Sequence, residues 1–252
     1  VSDVLHFAPD RLPSGSRPFG LDSKGEARPA AVESARLARE LVMARAPFSA
    51  AAESIRTIRT ALIGAAFSRG VRAFACVSPR AGQGASLLAA NLAFAFAQME
   101  VKTLLVDANL RHRGLSRKHE KALGDLFGLP ERRDGLGEAL ARRADEPPLA
   151  REVAPNLAVL PAGALQPNPQ ELIASAGFAR LAARWAEQFE LVIYDAPPAM
   201  DYGDACLIAA RAGSALIAAR RDHARFAEVR QVSAALRSHG ANISGVVANC
   251  FG

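Results

Sequence analysis

Residues Val71–Ala90 read VRAFACVSPRAGQGASLLAA. Arg72–Ser78 is a short apolar run with strand character, and Pro79–Gly84 is a glycine-containing turn. The uncharged stretch Ala85–Met99 that follows reads as a helix. A strand, a glycine turn and a helix in that order make an anion cradle. Successive loop N–H groups and the positive end of the helix converge on phosphate oxygens there.

The usual phosphate-loop signature ends G-K-[ST], the lysine reaching the β- and γ-phosphates and the hydroxyl holding magnesium. Here the corresponding residues are Gly84, Ala85 and Ser86, so the glycines and the hydroxyl are kept and the ammonium is not. Candidate nucleotide-binding residues in this stretch are Arg80, Gly82, Gly84, Ala85 and Ser86. Arg80 matters because it carries a cation five residues before Ala85. The plainer alternative for it is a solvent-facing loop arginine.

The chain has 252 residues, half of them hydrophobic, which suits one α/β domain with extensions. Cys76, Cys206 and Cys250 show no paired spacing, which suggests neither a disulfide framework nor a zinc site and fits a reducing cytoplasmic compartment. No apolar run approaches the roughly 18 residues that a membrane-spanning helix needs. Asp3, His6 and Asp10 interrupt the N-terminal stretch, so no signal peptide is expected. The net charge is +6, but it is spread along the chain and is mostly arginine. Without an aromatic-interleaved basic stretch, nucleic acid is not an expected partner.

Taken in order, residues 1–46 are expected to form a mobile arm, and 47–252 the phosphate-binding domain. Val1–Ala30 is rich in Pro, Ser, Gly and Arg; Ala31–Ala44 has helical spacing, with Leu37, Leu41 and Val42 on one side. That second part is expected to dock on the domain or on a partner. Pro47–Ala65 predicts a clearer helix, with Ser49 as N-cap and Ile55, Ile58 and Leu62 facing inward. Glu53, Arg56 and Arg59 recur every three residues as a second stripe, which on pattern alone is a solvated face with one weak ion pair.

Lys102–Asp107 (KTLLVD) and Leu191–Asp195 (LVIYD) are unbroken apolar strands, each ending in an acid. Further strands are predicted at Asn156–Leu160, Ser214–Ala219 and Ile243–Ala248, and helices at Gly135–Arg142, Pro169–Phe189 and Ala224–His239. Continuous apolar strands alternating with helices predict a doubly wound, mostly parallel sheet flanked by helices. Acids at the C-terminal ends of such strands lie at the ligand edge. Asp107 and Asp195 are therefore the candidate catalytic and metal-binding carboxylates, with Ser86 as a third metal ligand.

Together these residues resemble the cytoplasmic domain of bacterial tyrosine autokinases, phosphate-loop proteins that work with polysaccharide co-polymerases. The resemblance runs from about Pro47 to Asn249. It rests on Glu53, Arg56 and Arg59 in an E-x-x-R-x-x-R helix, and on Asp107–Arg111 as a D-x-D-x-R-like motif. It rests equally on Asp195-Ala196-Pro197-Pro198, on Leu160-Pro161-Ala162-Gly163 followed by Pro167-Asn168-Pro169 and Glu171-Leu172, and on Gly245–Asn249. The resemblance implies ATP or ADP with Mg²⁺ as cofactors and Asn249 near the adenine. It also implies a ring, commonly an octamer, packed through Glu53, Arg56 and Arg59, and an inner-membrane polysaccharide co-polymerase as partner. The protein would then reach the inner face of the membrane only through that partner.

Three departures bear on activity. Ala85 removes the lysine, and losing one member of a close, desolvated charge pair costs about 2–5 kcal/mol. With only four lysines in the chain, arginine preference would give arginine at 85, not alanine. Asn109 replaces the second acid of D-x-D. The tyrosine-rich tail is missing from the sequence, whose only tyrosines are Tyr194 and Tyr202. The expectation is a catalytically impaired kinase-like protein, with nucleotide and Mg²⁺ bound weakly or not at all. An alternative is a slow ATPase or protein tyrosine kinase using Arg80 in place of lysine. A weaker alternative is a partitioning-type ATPase, with Arg225, Arg230 and Arg237 supplying charge.

Overall fold

A strand buried on both faces has no polar side to alternate, and the apolar runs of this chain become the inner strands of one sheet. The computed structural model describes residues 37–65, 70–111, 123–129, 135–142 and 150–250. In chain order the elements begin with helices α1 (Val42–Arg45) and α2 (Ala50–Ala65), strand β1 (Ala73–Val77), helix α3 (Ala85–Ala97) and strand β2 (Thr103–Asp107). Helices α4 (Leu123–Leu126) and α5 (Leu136–Ala141) and strands β3 (Arg151–Ala154) and β4 (Leu157–Leu160) follow. The chain continues through α6 (Pro169–Ala174), α7 (Ala176–Gln188), β5 (Leu191–Asp195), α8 (Asp204–Ala212), β6 (Ser214–Arg220), α9 (Phe226–Ser238) and β7 (Asn242–Asn249).

The strands form a seven-stranded sheet in the order β3-β4-β2-β5-β1-β6-β7. All neighbours are parallel except the edge pair β3–β4. Along β5, Leu191 and Ile193 join the core that contains α2 and α3, whereas Val192 and Tyr194 join the core under α7 and α8. One face is filled by the alanine-rich α3, with Phe94 stacked on Phe127 at 5.7 Å between ring centroids. The other is built around Phe178, Trp185 and Tyr194, whose rings lie 6.0–6.4 Å apart. This is the doubly wound α/β sheet that the sequence predicts.

Several local expectations change. The helix predicted over Ala31–Ala44 falls partly outside the described residues; within them, helix begins only at Val42. Residues before it instead form a strap across α3. Leu41 and Met43 are fully buried, and the Asn91 side chain reads the strap backbone. Its Oδ1 accepts from Met43 N–H at 3.1 Å, and its Nδ2 donates to the Glu40 carbonyl at 3.1 Å. The single helix predicted for Pro169–Phe189 is two. Ser175 is extended, donates to the Leu172 carbonyl and accepts from Phe178 N–H, so it closes α6 and caps α7. Strand β3 and helix α8 were not legible in the pattern. Val1–Ala30 lies outside the described residues.

Ser49 does cap α2, its Oγ accepting from Ala52 N–H at 3.2 Å. Ile55 and Leu62 are buried, and Ile58 packs half-buried beside them. Among the described residues no helix is long and apolar enough to cross a membrane.

Candidate functional site

Strands β1, β2 and β5 run side by side and in parallel, so their C-terminal ends open onto one crevice. β1 delivers the glycine loop there. Gly82 and Gly84 have φ of 75° and 94°, which a side chain would strain. A Cβ on Gly84 would also lie 2.1 Å from Nδ2 of Asn249. That amide sits over the loop and donates to the Gln83 carbonyl at 3.1 Å, so the end of β7 braces the turn.

Ala85, 6 % exposed, opens α3 with a methyl group where the signature has an ammonium. Ser86 follows, and its hydroxyl donates to the Asp195 carboxylate. Asp195 and Asp107 are register partners on β5 and β2. Both are buried, and Oδ1 of Asp195 has no hydrogen-bond partner. Burial is the main cause that pushes Asp107 up to about 7; donation from the N–H groups of Asn109 and Ala162 opposes it, and the charge of Asp125 adds to it. Asp195 is pushed well above the usual carboxylate range by burial and then by Asp107. Two adjacent buried acids cannot both ionise without a cation.

These residues fit a magnesium-bound phosphate group. The orphaned carboxylate oxygen, the second acid and the Ser86 hydroxyl are hard oxygen donors beside a formed anion cradle. Among the described residues no three His, Cys, Asp or Glu side chains gather to hold a metal by themselves. Mg²⁺ is typically held by one or two carboxylates together with substrate phosphates, which the pair Asp107 and Asp195 beside the glycine loop would match.

Arg80 is paired with two acids. Its Nε lies 2.8 Å from Oε1 of Glu228 in the first turn of α9, and its Nη1 3.6 Å from Oδ1 of Asp201. The hydrogen bond to Glu228 raises its pKa, and Arg80 in turn lowers that of Glu228. The stripe on α2 also divides. Glu53 and Arg56 pair with each other on the surface. Arg59 instead turns inward, its Nη1 donating to the Ala95 carbonyl of α3 at 2.9 Å and its Nε buried without a partner.

Sequence reasoning missed one group near the acids. Arg111 forks onto Asp204, with Nε 2.6 Å from Oδ2 and Nη2 3.1 Å from Oδ1, and its guanidinium lies 4.6 Å from the Tyr202 ring centroid. The only signal for it was the arginine that ends D-x-N-x-R.

The sheet order, the glycine cradle and the two strand-end acids define the class: a P-loop nucleoside-triphosphatase fold. No family model matches the chain. It is 32% identical over 206 residues to the tyrosine-protein kinase wzc of Salmonella typhimurium, an alignment covering 81% of this chain and 27% of that protein. The chimerical protein CapA2B2 superposes with a TM-score of 0.73 at 30% identity, covering 85% of this chain and 91% of that one. The kinase domain of Escherichia coli tyrosine kinase ETK gives 0.75 at 26% identity, over 85% and 80% of the two chains. The chain belongs to the bacterial tyrosine-protein kinase family. It spans about a quarter of the length of a relative such as wzc.

Proposed function

We propose that this chain is a catalytically impaired tyrosine-kinase-like domain. It acts as a cytoplasmic partner of an inner-membrane polysaccharide co-polymerase and regulates the length, polymerisation or export of exopolysaccharide or capsule chains. The observation that carries this reading is Ala85, a buried methyl group at the head of α3 in an otherwise well-formed cradle. The backbone N–H groups of the loop do not depend on lysine, so at most weak nucleotide binding is left without it. Transfer of the γ-phosphoryl group does depend on it, because charge develops on the transferred oxygens in the transition state.

Gly82, Gly84 and Ser86 would hold the phosphates, and Ser86, Asp107 and Asp195 would hold Mg²⁺. When bound, the metal would supply positive charge to offset that of the phosphates. The ion pairs of Arg80 with Glu228 and Asp201 support a reading in which it does not stand in for the lysine. Self-association through Glu53 and Arg56 belongs to the same proposal. Arg59 contributes by fixing α2 to α3.

Calorimetry with Mg·ATP and Mg·ADP on the wild type and an Ala85→Lys variant, together with a phosphate-release assay, tests this reading. Weak or no binding by wild type, with binding and turnover gained by the variant, is the expected result. Micromolar binding with phosphate release by wild type would overturn the impairment and restore the reading of a slow enzyme using Arg80.

A further inference from the structure

We propose that Arg111 is a positioning residue that sets the spacing of the two metal-site carboxylates by clasping the loops that carry them. The proposal rests on the reading of Asp107 and Asp195 as metal ligands. The chain leaves β2 through two consecutive side-chain-to-backbone turns. Oδ1 of Asp107 accepts from Asn109 N–H at 3.2 Å, and Oδ1 of Asn109 accepts from Arg111 N–H at 3.3 Å. Any movement of Arg111 is therefore passed to the Asp107 carboxylate through two short links.

From Arg111 the guanidinium reaches across to Asp204, the first residue of α8, which is 1 % exposed. Asp204 lies at the far end of the segment that begins at Asp195. On the near side, Ala108 N–H donates to the Asp195 carbonyl at 3.0 Å. The circuit is closed: Asp195 to Ala108, through the turns to Arg111, across the fork to Asp204, and back along the chain to Asp195. The ring of Tyr202, within that returning segment, stacks on the guanidinium.

A planar two-pronged donor fixes both distance and angle, whereas a lysine ammonium would fix only distance. Asp204 is buried, so its charge has no solvent alternative to the fork, and the clasp stays closed. Residues that orient metal ligands in this way typically change metal affinity by about 10–100-fold when replaced.

The test compares the wild-type 252-residue chain with Arg111→Lys, Asp204→Asn and the double replacement Arg111→Met/Asp204→Leu. The last removes both charges together and so avoids stranding a buried one. Mn²⁺ affinity in the presence of ADP is read by electron paramagnetic resonance, and thermal midpoints are recorded alongside. We expect each variant to lose about 10–100-fold in Mn²⁺ affinity. The double replacement should lose no more than either single variant, because all three break one clasp. Wild-type Mn²⁺ affinity in a folded double variant overturns the proposal, as does a loss that merely tracks the fall in thermal midpoint. If wild type itself binds no Mn²⁺, an outcome the impaired reading includes, the clasp is judged by a crystal structure of the double variant. An unchanged Asp107–Asp195 arrangement there would overturn it, and separated carboxylates would uphold it.

Discussion

At the residue scale, two acids and one missing cation govern the site. Asp107 holds its proton up to about pH 7, against an ordinary carboxylate value near 3.8, chiefly because it is buried. The folded chain therefore binds a proton that the unfolded chain has already released. The stabilisation is full below about pH 4 and is lost as pH rises through 7, by a few kcal/mol at about 1.4 kcal/mol per pH unit. In metal-free buffer, thermal unfolding should show the wild type losing stability from pH 5 to 8 relative to Asp107→Asn. Parallel pH profiles for the two proteins would contradict this. Arg80 offers a second test, because Glu228 occupies its Nε. The double replacement Glu228→Ala/Asp201→Ala releases the arginine, and in the impaired reading Mg·ATP affinity by calorimetry stays unchanged. A tenfold gain would show that Arg80 can replace the lysine.

At the scale of elements, α3 joins the nucleotide cradle to the strap at residues 38–46. Asn91 is 1 % exposed in a helix whose other residues after Ser86 are all apolar, and its side chain serves Met43, Glu40 and Leu87. Gln98, at the end of the helix, adds a bond to the Met43 carbonyl at 3.0 Å. Asn91→Leu would leave buried backbone groups unpaired, each at about 1–3 kcal/mol. Urea denaturation should report a loss of that size, and limited proteolysis should cut first between residues 38 and 46. Unchanged stability would mean that the strap is held by Leu41 and Met43 alone. The periodic and capped elements were legible beforehand. The end of β5, the cap of α2 and the start of α3 were read from apolar runs, a serine and a glycine turn. The strap was not legible, because its bonds join residues 48 and 51 positions apart. The break at Ser175 was hidden by helical spacing on both sides.

At the scale of the whole molecule, self-association is the property a single chain leaves to experiment. The Glu53–Arg56 pair lies on the surface of α2, where an isolated exposed ion pair is worth only about 0–1 kcal/mol. Arg56→Glu should therefore leave the thermal midpoint of the monomer almost unmoved. In the ring reading the same change disperses the assembly, which mass photometry or sedimentation would detect. An assembly that survives it would remove this stripe from the interface. What the sequence alone determined was the architecture: apolar runs buried on two faces, glycines that admit left-handed backbone, and acids at two strand ends permit little else. It also determined that residue 85 brings no charge. Only the tertiary structure decided which charges are committed. Arg80 is turned to Glu228, Arg59 to a carbonyl of α3 and Arg111 to a buried Asp204. The physical reason is that a side chain's partner depends on contacts between distant segments, whereas strand and helix patterns depend on neighbours along the chain.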